Sequence, residues 1–274
     1  MKPDQAMQLF SDYLRVTGVA HIDAEPGAAP AFAGKRLGLL NGSNWISLWS
    51  NYFGRVFLPG VHLVNAGSEA VQINFMQAHA AGQPVPPASN IQAFIRYAQD
   101  LVQMAQVDAV LITCSTMNRA YRDVRRALEP SGVPVFQIDR PMMERAVTHG
   151  GRVLAVATHG PTVESTHALL RETAAELGTS VSYSGLNVEE AWHSLAVGDV
   201  AGHNRQLAEA IRRRLQSEEL GCVVLAQLSM TVFLLSYPDP LAEFGVPVLT
   251  SGQCGFEFIR DMWSKAVDSH PGQL

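Results

Sequence analysis

Cysteine is scarce in this chain. Its three copies, Cys114, Cys222 and Cys254, have no regular spacing, so neither a disulfide framework nor a zinc site is expected. Charge is sparse as well: 16% of the 274 residues are charged and the net charge is −5. The only basic run, Arg212-Arg213-Arg214, falls on one expected helix and reads as a solvated face rather than a nucleic-acid patch. No apolar run approaches the roughly 20 residues that cross a bilayer. The N-terminus carries Asp4 and Asp12 and no continuous apolar core, unlike a secretory signal. His-Glu-x-x-His, a phosphate loop, Gly-x-Gly-x-x-Gly and Gly-x-Ser-x-Gly are all missing from the sequence. These absences predict a soluble cytoplasmic protein that binds no metal and no cofactor, with neither nucleic acid nor membrane as partner.

What is present is apolar material: 47% of the residues are hydrophobic, enough to bury a large core. Residues 3–16 read as a short helix with Met7, Phe10 and Leu14 on one face, and 24–34 as a linker rich in Pro, Gly and Ala. The main fold then starts at Lys35. Strands are expected at 36–40, 61–64, 108–114 and 133–138, and again at 152–158, 181–186, 222–226 and 246–250. Between them lie helices. Asn90 can cap one whose stripe is Ile91, Phe94, Ala98, Leu101 and Ala105. Thr162 can cap another, marked by Val163, Leu170, Ala174 and Leu177. Helices are also expected from Met117 to Leu128, at 188–196, at 203–217 and near 254–266. This alternation predicts an α/β fold of two pseudo-symmetric lobes, each a parallel sheet flanked by helices. The expected layout is an N-terminal appendage and linker at 1–34, a first lobe at 35–150 and a second at 151–274, with terminal elements free to exchange between the lobes.

An internal repeat sharpens the picture. Gly221–Met230 lies over Asp108–Met117 without a gap, and the register puts Gln227 opposite Cys114. Ligands in such folds sit beyond the carboxyl ends of strands, in the cleft there. Asn41, Cys114, His159, Gln227 and Ser251 all fall at strand ends. A thiol beside the free amides of a helix start is expected to have a lowered pKa. Ser115, Thr116 and Asn118 add donors for an anion, as do Thr158 and Thr162 around the His159-Gly160-Pro161 turn. Cys222 and Cys254 read as core. Trp45, Trp49 and Tyr183 fit either a less polar substrate or the core.

Three blocks resemble the aspartate/glutamate racemase superfamily, which also holds hydantoin racemases, maleate isomerases and arylmalonate decarboxylases. Val110-Leu-Ile-Thr-Cys-Ser-Thr resembles its first cysteine motif. Ala157-Thr-His-Gly-Pro-Thr-Val-Glu-Ser resembles the Thr-rich turn that opens its second lobe. Val223-Val-Leu-Ala-Gln-Leu-Ser resembles its second cysteine motif. The resemblance implies an active site in the cleft between two lobes and cofactor-free chemistry at a carbon next to a carboxylate. It also implies a small carboxylate substrate and allows a homodimer. In the family's racemases one thiolate removes a proton and a second thiol returns one from the opposite face.

Here Gln227 stands in place of the second cysteine, with Leu228 and Ser229 in place of the usual Thr and Glu or His. Asn41 or Ser43 stands where glutamate racemases carry an Asp. Three functions stay open. The first is a racemase-like isomerase using Cys114, with Gln227 and His159 as the other catalytic candidates. The second is a one-sided decarboxylase or cis–trans isomerase of a malonate- or maleate-like acid. The third is a small-acid-binding protein of reduced catalytic power.

Overall fold

A computed structural model describes residues 3–17 and 32–268. Its elements run α1 (Pro3–Thr17), β1 (Arg36–Asn41), α2 (Asn44–Phe57), β2 (His62–Gly67), α3 (Glu69–Ala80), α4 (Ala88–Gln103), β3 (Ala109–Ile112), α5 (Tyr121–Leu128) and β4 (Val135–Gln137). They continue with α6 (Arg140–His149), β5 (Arg152–Ala157), α7 (Gly160–Glu176), β6 (Ser182–Asn187), α8 (Glu189–Ala196), α9 (Val200–Ser217), β7 (Cys222–Leu225), α10 (Phe233–Ser236), α11 (Pro240–Phe244), β8 (Val248–Thr250) and α12 (Ser251–Asp268). There are two four-stranded sheets, ordered β2-β1-β3-β4 and β6-β5-β7-β8, and the strand pairs with a described register are parallel. The expected α/β architecture is therefore present.

By contacts the chain divides into two units. The first takes residues up to Thr113, Arg119–Phe136 and the chain from Phe256 onward; the second takes Cys114–Asn118 and Gln137–Gly255. The boundary thus falls at Phe136/Gln137 rather than at 150/151. The reason is the apolar face of α6. Met142, Met143, Ala146 and Val147 pack with Val153, Ala155, Leu170, Cys222 and Val224 on one face of the second sheet. The other face of that sheet, through Leu154, Val156, Val223 and Leu225, meets α9 residues Leu207, Ala208 and Ile211. Alternate residues of the same strands serve opposite faces, as the two-residue period of a strand requires.

Local expectations differ from the structure at several places. Asn90 lies inside the first turn of α4, behind the N-cap Pro87. Its Nδ2 donates to Val71 O at 2.9 Å and its Oδ1 accepts from Asn74, so it ties α3 to α4 instead of capping. Thr162 is likewise inside α7, whose N-cap is His159. Met7, Phe10 and Leu14 are 68%, 63% and 49% exposed, so their face is not buried within the chain. Leu177 lies just past the end of α7 and is exposed as well. Helices α2 and α3 had no counterpart in the sequence reading. The linker read at 24–34 lies outside the described residues except for its last three, where Phe32 is buried.

The repeat keeps one offset over the last two strands of each sheet. Strands β3 and β7 are offset by 113 residues, as are β4 and β8. Each unit repeats the same entry into its last strand: Gly132 and Gly245 have φ of 71° and 72°, a left-handed conformation that glycine adopts without steric cost. Val110 N donates to Pro134 O and Val223 N to Pro247 O, both at 2.9 Å.

Candidate active site

Cys114 follows β3 and opens into a 3-10 turn, Ser115–Ala120; Gln227 follows β7 and opens into the matching turn, Leu228–Val232. The apolar strands are wholly buried, so they fix the points at which the first polar side chains emerge.

The Cys114 thiol is 3% exposed, with Sγ 3.1 Å from Thr116 Oγ1. Burial pushes its pKa up. The Thr116 hydroxyl and the amides of Met117 and Thr116 pull it back, and the nearby Asp139 charge adds to the rise. The net direction is upward, opposite to the sequence expectation. Two amides of a short 3-10 turn do not offset the loss of water around the sulfur. The thiol is therefore held in its protonated, proton-donating form. Burial also raises Cys222, to about 11. All three cysteines are buried, and none is in a disulfide.

Gln227 is half-buried, and its amide orientation is fixed. Oε1 accepts from Thr158 N at 2.7 Å and from Thr158 Oγ1 at 3.0 Å. A backbone N–H can only donate, so the oxygen must be the atom that faces it. The Nε2 end is left to present two N–H donors. Among the expected site residues, the structure thus joins Gln227 with Thr158, and Cys114 with Thr116. No hydrogen bond links these two groups among the described residues.

His159, at the α7 N-cap, packs its ring 4.9 Å from Trp192. Burial lowers its pKa, Glu189 opposes that and His193 adds to it. The imidazole is accordingly neutral near neutral pH. Thr162 is buried, and its carbonyl accepts from Thr166 at 2.8 Å. Leu228 and Ser229 are buried too. A Cβ added at Gly252 would sit 3.0 Å from Leu228 Cδ1, which places the leucine inside the second unit's packing.

Asn41 and Ser43 belong to the first unit, and both are buried. Asn41 is saturated within that unit. Nδ2 donates to Asn65 Oδ1 at 2.9 Å and to Leu39 O at 3.3 Å; Oδ1 accepts from Ser50 Oγ at 3.0 Å and Thr113 Oγ1 at 2.6 Å. An amide has two donor hydrogens and two acceptor sites, so no capacity remains for a substrate. Asn65 continues the network to Asn51. Trp45 and Trp49 pair edge to face on α2, and Tyr183 packs on His167 while accepting from Arg171.

One group at the site escaped the sequence reading. Asp139, between β4 and α6, is 3% exposed. Its Oδ2 accepts from Asn118 Nδ2. Burial raises its pKa to about 6, against the lowering effect of the Ser115, Asn118 and Ser251 side chains. The signal was available: Ile138-Asp139-Arg140-Pro141 is a strand end followed by a proline suited to the first turn of a helix. Ser251 opens α12, whose close approach depends on glycine, since a Cβ at Gly255 would lie 2.5 Å from Ile138 Cγ1 and 2.7 Å from Ile138 O. Among the described residues no group of three or more His, Cys, Asp or Glu is placed to hold a metal ion, and no helix is long and apolar enough to cross a membrane.

The family model described as Asp/Glu/Hydantoin racemase matches residues 65–259. No curated protein sequence matches the chain. Several solved structures share its fold. Glutamate racemase isoform RacE1 from Bacillus anthracis is 15% identical, with a TM-score of 0.57 over 85% of this chain and 83% of that one. Allantoin racemase from Klebsiella pneumoniae is 16% identical, with a TM-score of 0.60 over 85% and 89%. Allantoin racemase from Pseudomonas fluorescens is 19% identical, with a TM-score of 0.55 over 84% and 92%.

Proposed function

Because this chain belongs to the Asp/Glu/hydantoin racemase family of racemase/isomerase-type enzymes, we propose that it moves a proton at a carbon next to a carboxylate from one side only, with Cys114 as the acid/base. The observation that carries this reading is the unequal pair of strand ends: a protonated thiol on one and a pinned amide on the other. In the forward step a malonate-like acid loses one carboxylate as CO2, the C–C bonding pair stays on a planar, enolate-like carbon, and the thiol gives that carbon its proton. The resulting thiolate accepts from Thr116 Oγ1 and recovers its proton from water. Gln227 cannot exchange a proton, but its fixed Nε2 suits the carboxylate or the oxygen on which the intermediate's charge develops. Ser115, Asn118 and Thr158 belong to the same substrate-binding surface. A small malonate- or maleate-like acid fits chemistry that needs one thiol.

A second reading keeps racemisation, with His159 as the opposite proton carrier. Its neutral imidazole favours that role, since it can accept a proton near neutral pH.

The test incubates the protein with amino acids, hydantoins, malonates and maleate in deuterated water, and follows exchange by NMR and product chirality by chromatography. One-sided chemistry gives a single deuterated enantiomer and is lost in Cys114→Ala. Racemic product that depends on His159 selects the second reading. Fast racemisation that survives His159→Ala sinks the one-sided mechanism. Binding with no exchange would reduce the chain to a small-acid-binding protein.

A further inference from the structure

The Asp139 carboxyl is buried in the second unit, and the side chains of Ser115, Asn118 and Ser251 are its hydrogen-bond partners. A buried carboxyl is costly unless such donors surround it. These four residues form one cluster in the second unit. Asn118 Nδ2 donates to Asp139 Oδ2, and the Ser115 and Ser251 hydroxyls lie close enough to lower the carboxyl's pKa. Asn118 is held from its other end as well, since its carbonyl accepts from Gln137 Nε2 at 2.7 Å. The clamp grips the five residues Cys114–Asn118, the segment of the turn that groups with the second unit.

We propose that Asp139 is the positioning residue of the Cys114 thiol: through Asn118 and Ser115 it fixes the turn that carries the sulfur, and its charge sets how readily the thiol releases its proton. This rests on the assignment of Cys114 as the acid/base. Two negative charges in one buried region oppose each other. An ionised Asp139 therefore keeps the sulfur as a thiol, ready to donate, and a protonated Asp139 eases thiolate formation. Titratable groups on the surrounding elements include Arg119 in the turn, Arg140, Glu144 and Arg145 on α6, and Cys254 on α12. Arg140 is engaged by Glu144 and Glu176, and Arg145 lies 3.6 Å from the Cys254 sulfur. No metal, oxidant or second substrate enters, because only a proton moves.

The experiment follows the cysteine 13Cβ resonances by NMR from pH 4 to 11, in the full-length protein and in Asp139→Asn. Cys114→Ser assigns the signal. In the unaltered protein the Cys114 signal should carry a small inflection near pH 6, where Asp139 ionises, followed by thiol ionisation above the ordinary range. In Asp139→Asn the inflection should vanish. The thiol midpoint should fall by about one unit, a roughly tenfold gain in thiolate at a given pH, while Cys222 stays unmoved. Turnover should drop in kcat with KM held within about twofold, because the turn that carries the sulfur loses its anchor while the thiol itself becomes the stronger acid. An unchanged Cys114 midpoint beside an unchanged Cys222 signal would overturn the proposal. If Asp139→Asn fails to fold, Ser251→Ala serves instead. Removing that donor should move the inflection to higher pH, and a Cys114 signal with no inflection near pH 6 would equally overturn it. Activity that survives Cys114→Ser would overturn the functional reading alone, since the thiol titration needs no substrate.

Discussion

Replacing Asn41 with alanine separates two roles that a strand-end amide can have. The substitution removes four hydrogen bonds: two donated, to Asn65 and Leu39, and two accepted, from Ser50 and Thr113. The losses are unequal. Ser50 Oγ keeps Ile46 O at 3.0 Å, and Thr113 Oγ1 keeps Leu40 O at 3.2 Å, so each hydroxyl retains an acceptor. Asn65 Oδ1 loses the Asn41 donor without such a replacement. Counting about 1–3 kcal/mol for that stranded acceptor and about 0.5–1 kcal/mol for each rearranged hydroxyl gives roughly 3 kcal/mol. At about 2–4 °C per kcal/mol, the thermal midpoint should fall by roughly 6–12 °C. Differential scanning calorimetry measures this directly. The deuterium-exchange rate per folded molecule should remain within about twofold of the unaltered protein, because the amide has no group left for substrate. An unshifted midpoint together with a hundredfold loss of exchange would refute the reasoning and return Asn41 to the binding surface.

Three further outcomes are expected. Asp139 has a folded pKa of about 6 against an ordinary 3.8. The native protein therefore binds this proton more tightly than the unfolded chain does, and stability falls by roughly 3 kcal/mol as pH rises from about 4 to above 6. Urea titrations of Asp139→Asn should lose that slope, and an identical slope would show that the carboxyl is not its source. Gly255→Ala forces a methyl group against Ile138 Cγ1 and its carbonyl, costing about 1–3 kcal/mol. Gly160→Ala, with nothing within 4 Å, should be far milder, and equal melting temperatures for the two would contradict the close approach. Gln227→Cys supplies a second group able to exchange a proton, so chiral chromatography should reveal a racemic fraction that the unaltered protein lacks.

Much of the fold was legible because its central strands are buried on both faces. Val110–Ile112 and Val223–Leu225 are runs of apolar residues with little other reading, and their register follows from the repeat alone. The helices were less so. In α2, aromatic residues fall on several sides, and Trp45 and Trp49 are only half-buried, so no narrow stripe marks the core face. Caps were misplaced at Asn90 and Thr162 because polar residues one turn inside a helix look like caps in sequence, while the true N-caps are Pro87 and His159. At the site, Cys114 and Gln227 were visible as polar interruptions of apolar strands. The Gln227–Thr158 contact spans 69 positions and lies beyond any local pattern. The direction of the Cys114 shift was misjudged because strand-end position does not reveal how completely the sulfur is buried. Asp139 lies two residues past the end of β4, and no neighbour in sequence announces its partners.

The offset of 113 residues that β3 shares with β7 and β4 with β8 bears on symmetry. A homodimer of one half-chain, related by a twofold axis, is obliged to carry the same residue at both equivalent strand ends. A single chain that holds both copies has no such obligation. Met117 and Met230, Thr116 and Ser229, and Pro134 and Pro247 remain alike, and each pair meets a demand of the shared scaffold. Cys114 against Gln227, Ser115 against Leu228 and Asp139 against Gly252 have diverged. One copy concentrates the groups that titrate; the other has become neutral and apolar around a fixed amide. A single chain that carries both copies is free to hold different groups at its two equivalent strand ends, as Cys114 and Gln227 do.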